Sequence, residues 1–191
     1  MLLTLAKLKT HLGISNTNDD TALTDVITGV GKRFEQFCDR DLERAADQVE
    51  NHDSLGVISL RRFPVEAATI NYDLQRIFAV ATVQTADIDY VLDARTGLLR
   101  FLFNPEPYPL GVKATVTGGY VSAGGTPGSG QTAIPDDITR AMIRQCEFEW
   151  RNHTEFGRTS VSLAGQSISG GEFELLPEVK ATLQNHKRIS I

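Results

Sequence analysis

Several stretches of this chain carry residue types whose spacing could do chemistry. Gly125-Thr126-Pro127-Gly128-Ser129-Gly130-Gln131-Thr132 has the spacing of a phosphate-binding loop. Such a loop needs a Lys to meet the β- and γ-phosphates and a helix that opens directly from it. Gln131 stands where the Lys belongs, and Pro135 separates the loop from the next helix. Nucleotide binding is therefore not expected. Gly165-Gln166-Ser167-Ile168-Ser169 has the outline of a nucleophile elbow with its last Gly replaced. That elbow needs a strand-to-helix turn on a parallel sheet, whereas this stretch lies in a polar linker. Asp87, Asp89 and Asp93 are spaced like calcium ligands, but Val91 takes a ligand position. They read as the solvated face of a strand. His11, His52, His153 and His186 lie far apart and show no metal-ligand spacing. Asp19-Asp20 reads as a helix cap rather than a catalytic pair. No stretch supplies a nucleophile, a base and an oxyanion site together. The expectation is a protein that is not an enzyme, with no catalytic, cofactor-binding or metal residues.

Any site would have to be positioned by the elements around it. A chain of 191 residues suggests one domain, or one domain with an insertion, and can bury a core without disulfides. A net charge of -5 argues against a protein that coats nucleic acid or anionic membrane, since such binders cluster excess Lys and Arg. Cys38 and Cys146 fall on apolar helix faces and read as reduced core thiols. Met1 to Ala6 is apolar but short, and Lys7 and Lys9 interrupt it. It does not read as a signal peptide, and no run reaches the ~18 residues of a membrane span. A cytoplasmic origin is expected.

Thr4 can cap a short helix from Leu5 to Leu12, stopped by Gly13. Asp19 or Asp20 can cap a longer one running to about Arg40. Short β-prone runs follow at Val57–Leu60, Ile77–Val83, Ile88–Leu92, Leu98–Phe103 and Lys113–Tyr120. The third and fourth, joined by Asp93-Ala94-Arg95-Thr96-Gly97, read as a hairpin. Val121 to Ala133 reads as a flexible loop. A helix then spans Asp136 to about Asn152 behind Pro135. Thr154 to Gly171 is polar and punctuated by Gly, and is expected to be mobile in isolation. A last short helix covers Leu175 to Leu183. The fold class expected is α+β: a helical core, an inserted antiparallel sheet and a flexible C-terminal tail. The divisions are 1–44 (core, first part), 45–120 (β insertion), 121–135 (loop), 136–153 (core, second part) and 154–191 (linker and docking helix).

The two long helices differ. Leu23, Val26, Ile27, Val30, Phe34, Phe37 and Cys38 span about 120° of the helical wheel in one. Ile138, Ala141, Met142, Ile143, Cys146, Phe148 and Trp150 span about 220° in the other. One core contact needs little more than ~100°. Two readings follow: a central helix buried on two sides within one chain, or a helix with core on one side and a neighbouring subunit on the other. On the second, the candidate interface is Arg140, Ile143, Arg144, Glu147, Trp150 and Arg151.

The order of motifs resembles a known family. It runs Thr4-Leu5-Ala6-Lys7-Leu8-Lys9-Thr10-His11-Leu12-Gly13, Asp19-Asp20, then Phe37-Cys38-Asp39-Arg40. Arg61-Arg62-Phe63-Pro64-Val65, Asp89-Tyr90-Val91-Leu92-Asp93 and Val116-Thr117-Gly118-Gly119-Tyr120 come next. Ile134-Pro135-Asp136-Asp137-Ile138, Glu149-Trp150-Arg151-Asn152 and Leu176-Pro177-Glu178-Val179 close the series. Together they resemble the head–tail connector (adaptor) proteins of tailed bacteriophages, the gp6-like superfamily, in the branch with a β insertion (phiE125 gp8-like). The resemblance implies a virion protein that forms a ring with copies of itself, twelve in number, below the portal protein. It implies a platform for a stopper or tail-terminator protein, and a channel through which DNA passes without specific binding. It further implies that the C-terminal segment reaches the portal, making Leu175, Leu176, Val179 and Leu183 candidate docking residues. No cofactor and no membrane enter this role.

Overall fold

The computed structural model describes residues 1–53, 56–73, 82–103, 105, 109–152, 160–163, 166–169 and 174–189. Thr4 starts helix α1, Leu5–Leu12, by accepting the Lys7 N–H, and Gly13 ends it at φ 70. Only a residue that tolerates the left-handed region can close the helix this way. Helix α2, Asp20–Cys38, has Asp19 at its cap position without a side-chain cap bond. Asp20 instead meets Lys9 Nζ at 2.5 Å and ties α2 to α1. Asp39, at φ 49, ends α2.

The chain then builds strands β1 (Ala45–His52), β2 (Val57–Ser59), β3 (Val65–Tyr72), β4 (Thr82–Gln84), β5 (Tyr90–Asp93), β6 (Leu98–Phe101) and β7 (Val112–Gly118). One sheet has the order β1-β7-β3-β4 and a second the order β2-β6-β5. All the pairings within both are antiparallel. In β7 buried and half-buried residues alternate, which is the period-two signature of a strand with one face in a core. The expected 88–103 hairpin is present as β5–β6. Of the expected strand Ile77–Val83, β4 covers the end, and the remainder lies outside the described residues.

Strands β8 (Tyr120–Val121) and β9 (Thr132–Ala133) pair in parallel and lead into helix α3, Asp136–Asn152. Strands β10 (Ser160–Leu163) and β11 (Gln166–Ser169) form an antiparallel hairpin. Helix α4, Pro177–Gln184, follows with Pro at its first turn. The Thr154–Gly171 stretch, expected to be mobile in isolation, has this hairpin in its described part. The loop after Val121 is also tied down at its start. The Thr4 N–H donates to the Ala123 carbonyl at 3.0 Å, and the Ala123 N–H to the Leu2 carbonyl at 2.9 Å.

Two apolar cores result. Leu3, Leu8, Phe34, Ile138, Met142 and Leu183 belong to the helical one. Ile58, Ile70, Leu99, Val112, Ala114 and Val116 belong to the β one. Among the described residues no helix is long and apolar enough to cross a membrane.

Candidate assembly interface

The stretches that imitated chemical sites have local structural roles. In the phosphate-loop look-alike, Gln131 Oε1 accepts the Gly128 N–H at 2.8 Å, so the loop closes on its own side chain. Of the elbow look-alike, Gln166–Ser169 form strand β11, paired antiparallel with β10 rather than leading into a helix, and Gly165 lies outside the described residues. Asp87 and Asp89 lie in a turn rather than on a strand face, correcting the expectation of a shared solvated side. Asp89 accepts the Thr85 N–H at 2.7 Å, and Asp93 accepts from Arg95 and Thr96. Cys38 and Cys146 are free and fully buried. Burial pushes their thiols up to about 11 and about 12. His11, His52 and His186 each face one carboxylate, of Glu147, Glu50 and Asp137 respectively. His153 lies outside the described residues. Among the described residues, no three His, Cys, Asp or Glu gather where a metal could be held.

The wide apolar arc of α3 is largely accounted for inside the chain. Helix α3 packs against α1, α2 and α4. Ile138, Met142 and Cys146 are fully buried and Ala141 nearly so. Ile143 and Trp150 are half-buried against the same core. Two further inward residues are polar, and the wheel could not assign them a role. Gln145, with no exposure at all, donates to Glu149 at 2.8 Å and to the Glu174 carbonyl at 3.2 Å, and accepts the Leu176 N–H at 3.0 Å. It therefore ties α3 to the entrance of α4. Glu149 is buried and pairs with Arg33 of α2. A buried polar group must be satisfied in this way or it costs stability.

What α3 leaves in solvent is charge. Arg140, Arg144 and Arg151 are exposed. Glu147 sits among them, 2.7 Å from Arg151, 4.0 Å from Arg144 and 3.2 Å from His11. The hydrogen bond from His11 holds its carboxyl below the usual range against a smaller upward push from burial, with Arg151 and Arg144 assisting. Arg144 also reaches Glu178 of α4 at 3.6 Å. Arg140 makes no ion pair among the described residues. The six candidate interface residues thus sit as three exposed cations, a half-buried acid between them, and two half-buried apolar side chains at the edge.

The four docking candidates lie at the chain's own helical core. Leu175, Val179 and Leu183 are buried in the chain's own helical core, and Leu176 packs against it. These side chains hold α4 to α2 and α3. The segment after α4 is clasped as well. Arg188 places Nε and Nη2 at 3.0 and 2.6 Å from one Asp39 oxygen, and its N–H donates to the Cys38 carbonyl at 2.9 Å.

The β insertion is joined to the helices through a dense seam. Tyr120 N–H donates to the Leu42 carbonyl at 2.8 Å, and Arg44 N–H to the Tyr120 carbonyl at 3.0 Å. Gly118 and Gly119 let these segments approach. A Cβ on Gly118 would lie 2.3 Å from the Pro64 oxygen, and one on Gly119 2.6 Å from the Glu43 oxygen. Arg40 is buried with its guanidinium 3.3 Å from the Phe63 ring centroid, and it donates to the Phe63 carbonyl. Glu50, also buried, accepts the Arg61 and Arg62 N–H groups at 2.8 and 3.1 Å and meets His52 at 3.1 Å. Exposed large apolar residues concentrate beyond this seam, with Ile88 71 % and Val83 61 % exposed.

Residues 2–74 match the family model described as phage gp6-like head-tail connector protein. The matched stretch spans α1, α2 and the first three strands. No curated protein matches the chain. A chain in a solved structure described as the neck of an empty GTA particle computed with C6 symmetry is similar in fold. The TM-score is 0.61 at 16 % identity, over 100 % of this chain and 91 % of that one. Residues 2–74 are therefore similar to phage gp6-like head–tail connector proteins, and the whole chain shares its fold with a chain of that neck structure.

Proposed function

We propose that this chain is a structural adaptor of the tailed-phage neck. Copies assemble into a ring below the portal, extend the DNA channel and present a platform for a stopper or tail-terminator protein. The observation that carries the proposal is the coincidence of two independent likenesses. The connector family matches α1, α2 and the root of the insertion, and the fold of a neck component extends over all of the chain. The surface chemistry is compatible with it. The α3 edge of Arg140, Arg144, Glu147 and Arg151, with Ile143 and Trp150 beside it, presents both signs of charge, which suits a contact that fixes register between like subunits. A net charge of -5 suits a channel along which DNA slides, since phosphate binding would need clustered cations. Before assembly the protein resides in the host cytoplasm, and afterwards at the head–tail interface. Cryo-EM of the assembled neck tests this. Density for this chain as a ring between portal and tail is expected. Density at the far end of the tail tube would replace the adaptor reading with a tail-completion role.

A further inference from the structure

Exposed large apolar side chains gather around the β5–β6 hairpin of the insertion, where Ile88, Val91 and Leu102 stand in solvent. Single exposed apolar residues are ordinary, but a cluster of them marks a contact surface. In β5, Tyr90 is buried while Val91 and Asp93 are exposed, and in β6, Leu99 and Phe101 are buried while Arg100 is exposed. Successive side chains of a strand point to opposite faces, so Val91, Asp93 and Arg100 share the solvent face. Their register sets Val91 opposite Arg100 and Asp93 opposite Leu98. The Leu102 N–H donates to the Asp89 carbonyl at 2.8 Å and carries the pairing one step further. Leu102 therefore lies beside Asp89 and diagonally across from Val91, within reach of it. Along the hairpin the face reads as an acid (Asp89), then Val91 with Arg100, then a second acid (Asp93).

The exposed stripe of α3 has the opposite order. Arg144 and Arg151 flank Glu147, at 4.0 and 2.7 Å from its carboxylate, with Arg140 one turn before. Half-buried Ile143 lies beside the stripe. Its neighbours are Glu178, 3.6 Å from Arg144, and His11, 3.2 Å from Glu147. The lengths agree as well. Asp89 to Asp93 is four strand steps, about 13 Å, and Arg144 to Arg151 is seven helix steps, about 10 Å. A row of minus, plus, minus thus matches a row of plus, minus, plus, with apolar side chains on both to exclude water. Such complementarity fixes register and disfavours wrong partners. Two different patches of one chain that fit each other make a heterologous contact, the kind that closes into a ring.

We propose that the solvent face of the β5–β6 hairpin in one copy docks on the α3 stripe of the next, with Arg100 towards Glu147 and the two aspartates towards the arginines. The proposal rests on the ring reading above and names the contact that closes the ring.

The test uses full-length variants. Val91→Cys and Arg144→Cys are prepared separately, mixed, assembled alone or on the portal, and treated with a short bismaleimide. The natural Cys38 and Cys146 are buried, with thiols pushed up to about 11 and about 12, and stay out of the reaction. A link joining position 91 of one copy to position 144 of another is expected. In parallel, Arg100→Glu is expected to weaken self-association at least about tenfold, or about 1.4 kcal/mol, without lowering the melting temperature. Arg95→Glu, an equal charge change at an exposed turn position of the same hairpin outside the row, is expected to leave assembly unchanged. Equal weakening by both would reduce the effect to net charge and overturn the contact. Rings that form without the link and ignore Arg100→Glu would overturn it and leave the ring reading standing. Rings of normal strength that lose only a stopper or tail-terminator protein in Arg100→Glu would give this face to that partner and overturn it too. Absence of any oligomer, alone or on the portal, would overturn the ring reading and this contact together.

Discussion

Gly118, Glu50 and the arginines of α3 show how much single residues decide. A side chain at Gly118 must displace the Pro64 backbone, and backbone yields poorly. Gly118→Ala is expected to destabilise by about 2 kcal/mol or more, read as a lower midpoint in urea. Glu50 is held below the ordinary Glu range. Burial pushes it up, but His52 and the N–H groups of Arg61 and Arg62 more than offset that. A carboxyl depressed on folding contributes stability that is complete above its unfolded pKa and is lost as pH falls through the folded one. The melting temperature is thus expected to fall below about pH 4, and Glu50→Gln should flatten that acid limb while costing about 1–3 kcal/mol at neutral pH. Arg140 and Arg144 behave differently because they are exposed. Arg140→Glu and Arg144→Glu should change stability by no more than about 0.5 kcal/mol yet impair assembly. Circular dichroism and native mass spectrometry separate those two effects. Sequence reading picked out the α3 arginines because charge periodicity is local. It missed Glu50 and Gln145, whose partners, Arg61 and Leu176, are brought near by the fold.

At the scale of elements, the helices were legible and the strands only partly so. Thr4, Asp19 and Pro135 mark helix starts and Gly13 a helix end through caps and backbone restriction, and α1, α2 and α3 begin and α1 ends where these signals put them. Strand β1 has no such signature. In Ala45–His52 the one buried residue is Glu50, a charge that an apolar pattern cannot register. Strand β3 did carry a signal, Ala68, Ile70 and Tyr72 at alternate positions, which Pro64 just upstream obscured. The apolar width of α3 was real, but its main cause is intramolecular. Helix α4 covers one side of α3, as the reading of a helix buried on two sides within one chain requires. Leu183→Ala should therefore cost about 2–5 kcal/mol in equilibrium unfolding, and removing everything after Arg158 should destabilise the helical core rather than merely weaken docking. A deletion variant as stable as the full chain would contradict the packing role of α4.

For the whole molecule, two cores are joined by a seam of buried Arg, Glu and Gly. The described residues show exposed charge along α3 and exposed apolar residues on the insertion. A protein with these features is suited to meeting other proteins. The proposed partners rest on the order of motifs, since no single motif carries the role and fold alone does not dictate function. The most direct measurement is native mass spectrometry of the full chain alone and with its portal. The account predicts a single closed oligomer of this chain bound to the portal. A chain that remains monomeric and leaves the portal unbound at every concentration would contradict it.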